Sequence, residues 1–251
     1  MDQRYTGKNV VVTGAGSGIG RAVAQRLAAE GAKVACLDLI ADNAAETAQG
    51  IIAAGGSAFS RLCDVSDYAD VDAAVAGAIA EFGSIDMACN IAGIGWFAKS
   101  HEESPERFAK VIAVNLIGTF NVCRAVLPAM VERQSGAIIN TASTAGLIGQ
   151  PWSAGYCASK GGVVMLTKAL ATEYKGLGVR VNAVAPGGTM TNIVGGFMPP
   201  KGVDYKLMDK IQTPMGMTTP EEMASVFAFI GCDEARYMTG SIVAMDGGIS
   251  C

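Results

Sequence analysis

Histidine is almost missing from this chain, with His101 the only one among 251 residues. A Ser-His-Asp hydrolase would have to use His101 as its base, and no Gly-x-Ser-x-Gly elbow is present to carry a nucleophile. Gly16-Ser17-Gly18 is glycine-flanked at the wrong spacing. His101 stands in the polar run His101-Glu102-Glu103-Ser104, where a solvated helix start is its expected role. Paired cysteines are lacking too. Cys36, Cys63, Cys89, Cys123, Cys157, Cys232 and Cys251 are scattered singly, so neither a disulfide framework nor a metal site is expected. No uninterrupted apolar stretch approaches the roughly 20 residues that span a bilayer. The start, Met1 to Gly7, has no charged stretch leading into an apolar run. The expectation is a cytoplasmic protein with no membrane partner. Charged residues make up only 17% and the net charge is −4, without the basic footprint of a nucleic-acid binder.

What the chain does have is apolar surface to bury. Half its residues are hydrophobic and the mean hydropathy is +0.32, which suits one compact domain over 1–251 and hints at subunit interfaces. Short apolar runs read as strands at Lys8–Thr13, Lys33–Asp38, Ser57–Leu62, Ile85–Cys89, Ala137–Asn140, Val179–Ala183 and Ser241–Met245. Helical patterns separate them, for example Arg21–Glu30 and Asn43–Ala54. Strands apolar on both faces, alternating with helices, predict an α/β fold: one doubly wound, Rossmann-like parallel sheet covered on both sides. Met190–Pro220, rich in Met, Pro and Gly, breaks this rhythm and is read as a lid over a site.

Between the first strand and the first helix lies Thr13-Gly14-Ala15-Gly16-Ser17-Gly18-Ile19-Gly20. Glycines in that position let the backbone approach a pyrophosphate, which then rests on the free N–H groups of the helix start. The spacing is not G-x-G-x-x-G but T-G-x-x-x-G-x-G, through Thr13, Gly14, Gly18 and Gly20.

That pattern resembles the short-chain dehydrogenase/reductase family, and the resemblance runs over nearly the whole chain. Asp64-Val65 resembles the pair that the family sets beside the adenine. Asn90-Ile91-Ala92-Gly93 is similar to its Asn-Asn-Ala-Gly element, with Ile91 in place of the second Asn. Asn115, Ser143 and Tyr156-x-x-x-Lys160 fall where its catalytic residues would be. Pro186-Gly187, followed by Thr189 and Thr191, resembles its nicotinamide-contacting turn. The resemblance implies dinucleotide contacts from Gly14, Ser17, Gly18, Ile19, Gly20, Asp38, Leu39, Asp64, Val65, Asn90, Ala92, Gly93, Tyr156, Lys160, Pro186, Gly187, Thr189 and Thr191.

The choice of dinucleotide is argued from Asp38. It ends the second strand 18 positions after Gly20 (38 − 20), close to the ~20 expected of an acid that binds the ribose 2′-hydroxyl. A carboxylate there repels a 2′-phosphate, and Ser17, Leu39 and Ile40 supply no base to attract one. NAD is the expected cofactor.

Tyr156 and Lys160, four apart, share one helix face. A tyrosine of ordinary pKa near ~10 is a poor base at neutral pH. The lysine ammonium and an oxidised nicotinamide ring would both favour its phenolate. Tyr156 is then the acid/base that exchanges a proton with the substrate oxygen. Ser143 follows a strand's carboxyl end, where open α/β sheets bind ligands. It lies 13 positions before Tyr156 (156 − 143), the separation the resemblance implies, and is preferred over Ser153 and Thr144 for holding the substrate oxygen. By the same resemblance Lys160 also bonds the nicotinamide ribose, and Asn115 holds a water that links Lys160 to solvent.

Ile94, Gly95, Trp96, Ala145 to Trp152 and the lid, with Met190, Met198, Met208, Met215 and Met217, are candidates to shape the substrate pocket. They suggest an apolar, even cyclic, secondary alcohol or its ketone. No Arg or Lys clearly awaits a carboxylate or phosphate; Lys99, Lys201 and Lys206 are available, but exposed lysines usually bind nothing specific. The resemblance implies a homotetramer, with Met238 to Gly248 similar to a last strand that meets a neighbouring subunit. Two further readings stay open: a 3-ketoacyl-thioester reductase, and a non-catalytic dinucleotide-sensing protein on the same fold.

Overall fold

A computed structural model describes residues 3–213 and 215–251. Met1 and Asp2 of the amino-terminal stretch, and Pro214 of the expected lid, lie outside the described residues. The chain runs β1 (Asn9–Thr13), α1 (Gly18–Ala29), β2 (Lys33–Asp38), α2 (Ala41–Ala53), β3 (Ser57–Leu62), α3 (Tyr68–Phe82) and β4 (Met87–Asn90). It continues with α4 (Pro105–Ile112), a wide turn at Ala113–Ile117, α5 (Gly118–Glu132), β5 (Gly136–Thr141), α6 (Ala154–Tyr174), β6 (Val179–Pro186), α7 (Pro220–Gly231) and β7 (Ile242–Met245).

All seven strands form one parallel sheet in the order β3-β2-β1-β4-β5-β6-β7. Side chains alternate across a strand, so each face needs its own helices. Val10 and Val12 pack with Leu27 of α1 and Phe227 of α7, whereas Val11 packs on the opposite face with Val71, Val122 and Leu170 of α3, α5 and α6. Apolarity on both faces holds for the central strands only. β3 exposes Ser57, Arg61 and Leu62, and β7 is only partly buried, because both are sheet edges with one neighbour.

The order reverses direction between β1 and β4, which opens a crevice above the carboxyl ends of the strands. Thr13, Asp38, Asn90, Thr141 and Pro186 close β1, β2, β4, β5 and β6, and of these Asp38, Thr141 and Pro186 line it. The first helix begins at Gly18, earlier than its apolar pattern at Arg21 suggests, so Gly18 to Gly20 form its first turn. Gly20 permits this, since a Cβ there would meet Gly14 O at 2.0 Å. The segment after β6 leaves the sheet, forms helical turns at Asn192–Gly196 and Tyr205–Lys210, and returns. Its base is tied by Met190 N–H to Thr218 O and Thr218 N–H to Gly188 O, each 2.9 Å.

The continuous helical stretch Pro105–Glu132, 28 residues, is long and apolar enough by composition to cross a bilayer. Half of its most apolar window is buried within the fold, where Val122, Val126 and Met130 pack under the sheet.

Candidate active site

A cavity of about 620 Å³ fills the crevice. Its floor is the glycine turn. Gly14 has φ +66°, and a Cβ on it would lie 2.8 Å from Ala92 N, so only glycine lets the turn nest against the loop after β4. Thr13 Oγ1 fixes that loop, accepting from Ile91 N–H (3.0 Å) and Ala92 N–H (3.2 Å). Ser17 caps α1 without a side-chain bond, which leaves the N–H groups of the first turn directed into the cavity. Opposite them stands Thr191, whose Cγ2 is 3.0 Å from where a Gly18 Cβ would sit.

Asp38 is held by its surroundings. Oδ2 accepts from Gly16 N–H and Oδ1 from Ile40 N–H, both at 2.9 Å, which aims the carboxylate edge while leaving lone pairs for a diol. Asp64 accepts from Ser66 N–H (2.9 Å) and Oγ (2.6 Å), and Val65 O accepts from Asn121 Nδ2 (3.0 Å).

At the other end, Lys160 Nζ lies 5.8 Å from the Tyr156 ring centre and donates to Thr141 O at 2.7 Å. It is 3% exposed, and burial brings its ammonium down to about 8. Burial likewise pushes the Tyr156 hydroxyl up to about 12, with its hydrogen bond to Ser143 pulling the other way. The expected lowering of the phenol therefore does not come from the protein's own groups. Of the two cations invoked only Lys160 belongs to the chain, and the lowering at Tyr156 comes from Ser143 alone, against the larger effect of desolvation. Ser143 Oγ accepts from Ala145 N–H at 3.1 Å and lines the cavity. Ser153 is the residue that opens α6, its Oγ buried without a partner among the described residues, and Thr144 is engaged by Gln150 at 3.0 Å.

Of the catalytic and dinucleotide-contacting residues singled out from the sequence, Asn90 and Asn115 do not line the cavity. Asn90 Nδ2 donates to Asn140 Oδ1 (2.8 Å), whose own amide donates to Thr167 Oγ1 (2.9 Å), so the pair cross-links β4, β5 and α6 beneath the site. Asn115, in the wide turn, accepts from Ile94 N–H and donates to Ile94 O, both at 2.8 Å, and to Ser159 Oγ at 3.1 Å. Those bonds make it a positioning residue for the loop beside Lys160.

The substrate end differs from its expectation in several side chains. Trp96 turns away, donating to Glu103 and stacked under Arg107 at 4.6 Å, while its neighbour Phe97 enters the cavity. Met208 and Met217 line the cavity. Met190, Met198 and Met215 are mostly exposed instead. Phe197 of the lid was not singled out, yet its ring lies 5.0 Å from those of both Phe97 and Tyr156. Lys110 and Val114 also line the cavity unanticipated, and Lys99, Lys201 and Lys206 do not.

These features fit a nicotinamide dinucleotide: a backbone cradle that a Cβ would fill, free N–H groups at a helix start, and a buried ammonium with donors to spare. The comparisons agree. A protein named 2-(S)-hydroxypropyl-CoM dehydrogenase 3 from Xanthobacter autotrophicus is 38% identical over 100% of this chain and 99% of its own length. Cyclohexanol dehydrogenase from an Acinetobacter species is 39% identical over 98% of this chain and 96% of its own. The crystal structure of 3-ketoacyl-(acyl-carrier-protein) reductase from Brucella melitensis complexed with NADH has a TM-score of 0.90 and 36% identity, covering 98% of this chain and 99% of that one. The family model described as short chain dehydrogenase matches residues 8–200, the stretch from β1 through the glycine turn and Tyr156 into the lid, and the chain belongs to that family.

Proposed function

We propose that this protein is an NAD-dependent oxidoreductase that interconverts a secondary alcohol and its ketone. The carrying observation is that Ser143, Tyr156 and Lys160 share one cavity with the glycine turn and Asp38. Membership of the family, and relatives named as dehydrogenases of alcohols, support the reaction class.

A nicotinamide dinucleotide, when bound, supplies the hydride acceptor or donor. Gly14, Ser17, Gly18, Ile19 and Gly20 would hold its pyrophosphate, Asp38 and Leu39 the adenosine ribose, and Asp64, Val65, Ala92 and Gly93 the adenine side. Lys160, Pro186, Gly187, Thr189 and Thr191 would hold the nicotinamide half. Ser143 Oγ bonds the substrate oxygen. Tyr156 Oη takes the hydroxyl proton during oxidation and returns one to the ketone oxygen during reduction. Lys160 stabilises the phenolate when charged, and Asn115 fixes the loop on which both depend. Phe197 packs on Tyr156, and the cavity lining also includes apolar Ile94, Phe97, Val194, Ile211 and Met217, which favours an uncharged apolar substrate.

Reduction of a 3-ketoacyl thioester is the second reading, favoured by the NADH-bound relative of that name. Initial rates with NAD⁺ and NADP⁺ across cyclic alcohols, diols, hydroxysteroids and 3-hydroxyacyl thioesters separate the two. Turnover of apolar alcohols with NAD⁺ supports the first reading. Turnover confined to thioesters, or to NADP⁺, overturns it.

A further inference from the structure

We propose that Phe197, carried on the lid, is a positioning residue that controls how far Tyr156 is shielded from water, and that Phe97 holds it there. The inference rests on the acid/base reading of Tyr156.

Three loops meet at this point, and each is tied to the next. Phe97 N–H donates to Gly196 O at 3.0 Å, joining the loop after β4 to the lid. Ala98 N–H donates to Trp152 O at 2.7 Å, joining the same loop to the stretch before α6. Trp152 has φ +56°, a left-handed backbone rare for an aromatic residue, so this stretch is held in place at some cost. The rings repeat the connection: Phe97 lies 5.8 Å from Trp152 and 5.0 Å from Phe197, edge to face in both cases. Phe197 then meets Tyr156 at 5.0 Å and 70°. The approach needs Gly95, because a Cβ there would sit 2.5 Å from Phe197 Cζ and 2.7 Å from Tyr156 Cδ2.

An aromatic ring against the phenol removes water that would otherwise solvate its charged form. The titratable groups that face Tyr156 are Lys160 and Cys157, both on its own helix. The turn after β5 brings uncharged Ser143, the loop after β4 brings Gly95, and the lid brings Phe197. Withdrawing Phe197 thus changes hydration without changing charge. A lid that moves for substrate entry would expose the tyrosine, and one that shuts would return it to its protected setting.

The test compares wild type with Phe197→Ala, Phe197→Leu and Phe97→Ala, each checked for folding by circular dichroism. The Tyr156 phenol is titrated by ultraviolet difference absorbance against the same background carrying Tyr156→Phe, without substrate. Phe197→Ala should shift that titration to lower pH by about one unit, Phe97→Ala in the same direction by less, and Phe197→Leu should restore most of the wild-type value. The acid limb of kcat/KM for alcohol oxidation should move alike. An unchanged titration in a folded Phe197→Ala protein overturns the proposal. A shifted titration in a protein that oxidises no alcohol leaves the contact intact and overturns the functional reading alone.

Discussion

Asp38 spends part of its hydrogen-bonding capacity on Gly16 N–H and Ile40 N–H, so its carboxylate is aimed before any ligand arrives. Replacing it by Ala should narrow the preference for NADH over NADPH by roughly tenfold or more, since a like-charge barrier to the 2′-phosphate disappears. Fluorescence titration with both dinucleotides measures it, and an unchanged ratio would contradict the role. Lys160 yields a prediction about pH. Its folded-state value, about 8, is below the ordinary 10.5, so above pH 8 the folded amine is neutral while the unfolded chain still binds a proton. Stability therefore rises with pH from about 8 toward 10 on this account, by about 2 kcal/mol. Thermal unfolding of wild type against Lys160→Met checks the sign, because the variant lacks that slope.

Asn115 shows what an element does that a residue alone cannot. The wide turn between α4 and α5 points it back at Ile94, whose N–H and C=O both depend on it. Asn115→Ala should cost about 1–3 kcal/mol in urea unfolding, the penalty for stranding buried polar groups, and should lower kcat as the loop beside Lys160 loosens. The central elements were readable because their cause is local. Val10 to Thr13 is apolar on both faces, and Tyr156 and Lys160 are one helical turn apart, so period and spacing suffice. For Asn90 the position at a strand end is visible in the sequence while the face it takes is not. That face is set by Asn140, 50 residues away. Phe97 and Phe197 escaped for a related reason: loops have no period, and which of Trp96 and Phe97 points inward is decided by Glu103 and Arg107.

At the scale of the molecule, the edge strand β7 and Tyr237, 98% exposed, leave apolar surface that one copy does not cover. We propose a homotetramer. Light scattering should return four times the 25.7 kDa chain mass, and a monomer would contradict the assembly without touching the chemistry. The proposed chemistry follows from the sheet as a whole: reversal of strand order between β1 and β4 opens the crevice, and the glycine turn and α6 bring the backbone cradle and Tyr156 to the same cavity. The most direct measurement is the turnover of Tyr156→Phe with the best alcohol from the panel, beside its affinity for NADH. A fall of about 10²- to 10⁴-fold in kcat with NADH binding retained is the expected result. Wild-type turnover in that variant would show that the proton passes through some other group.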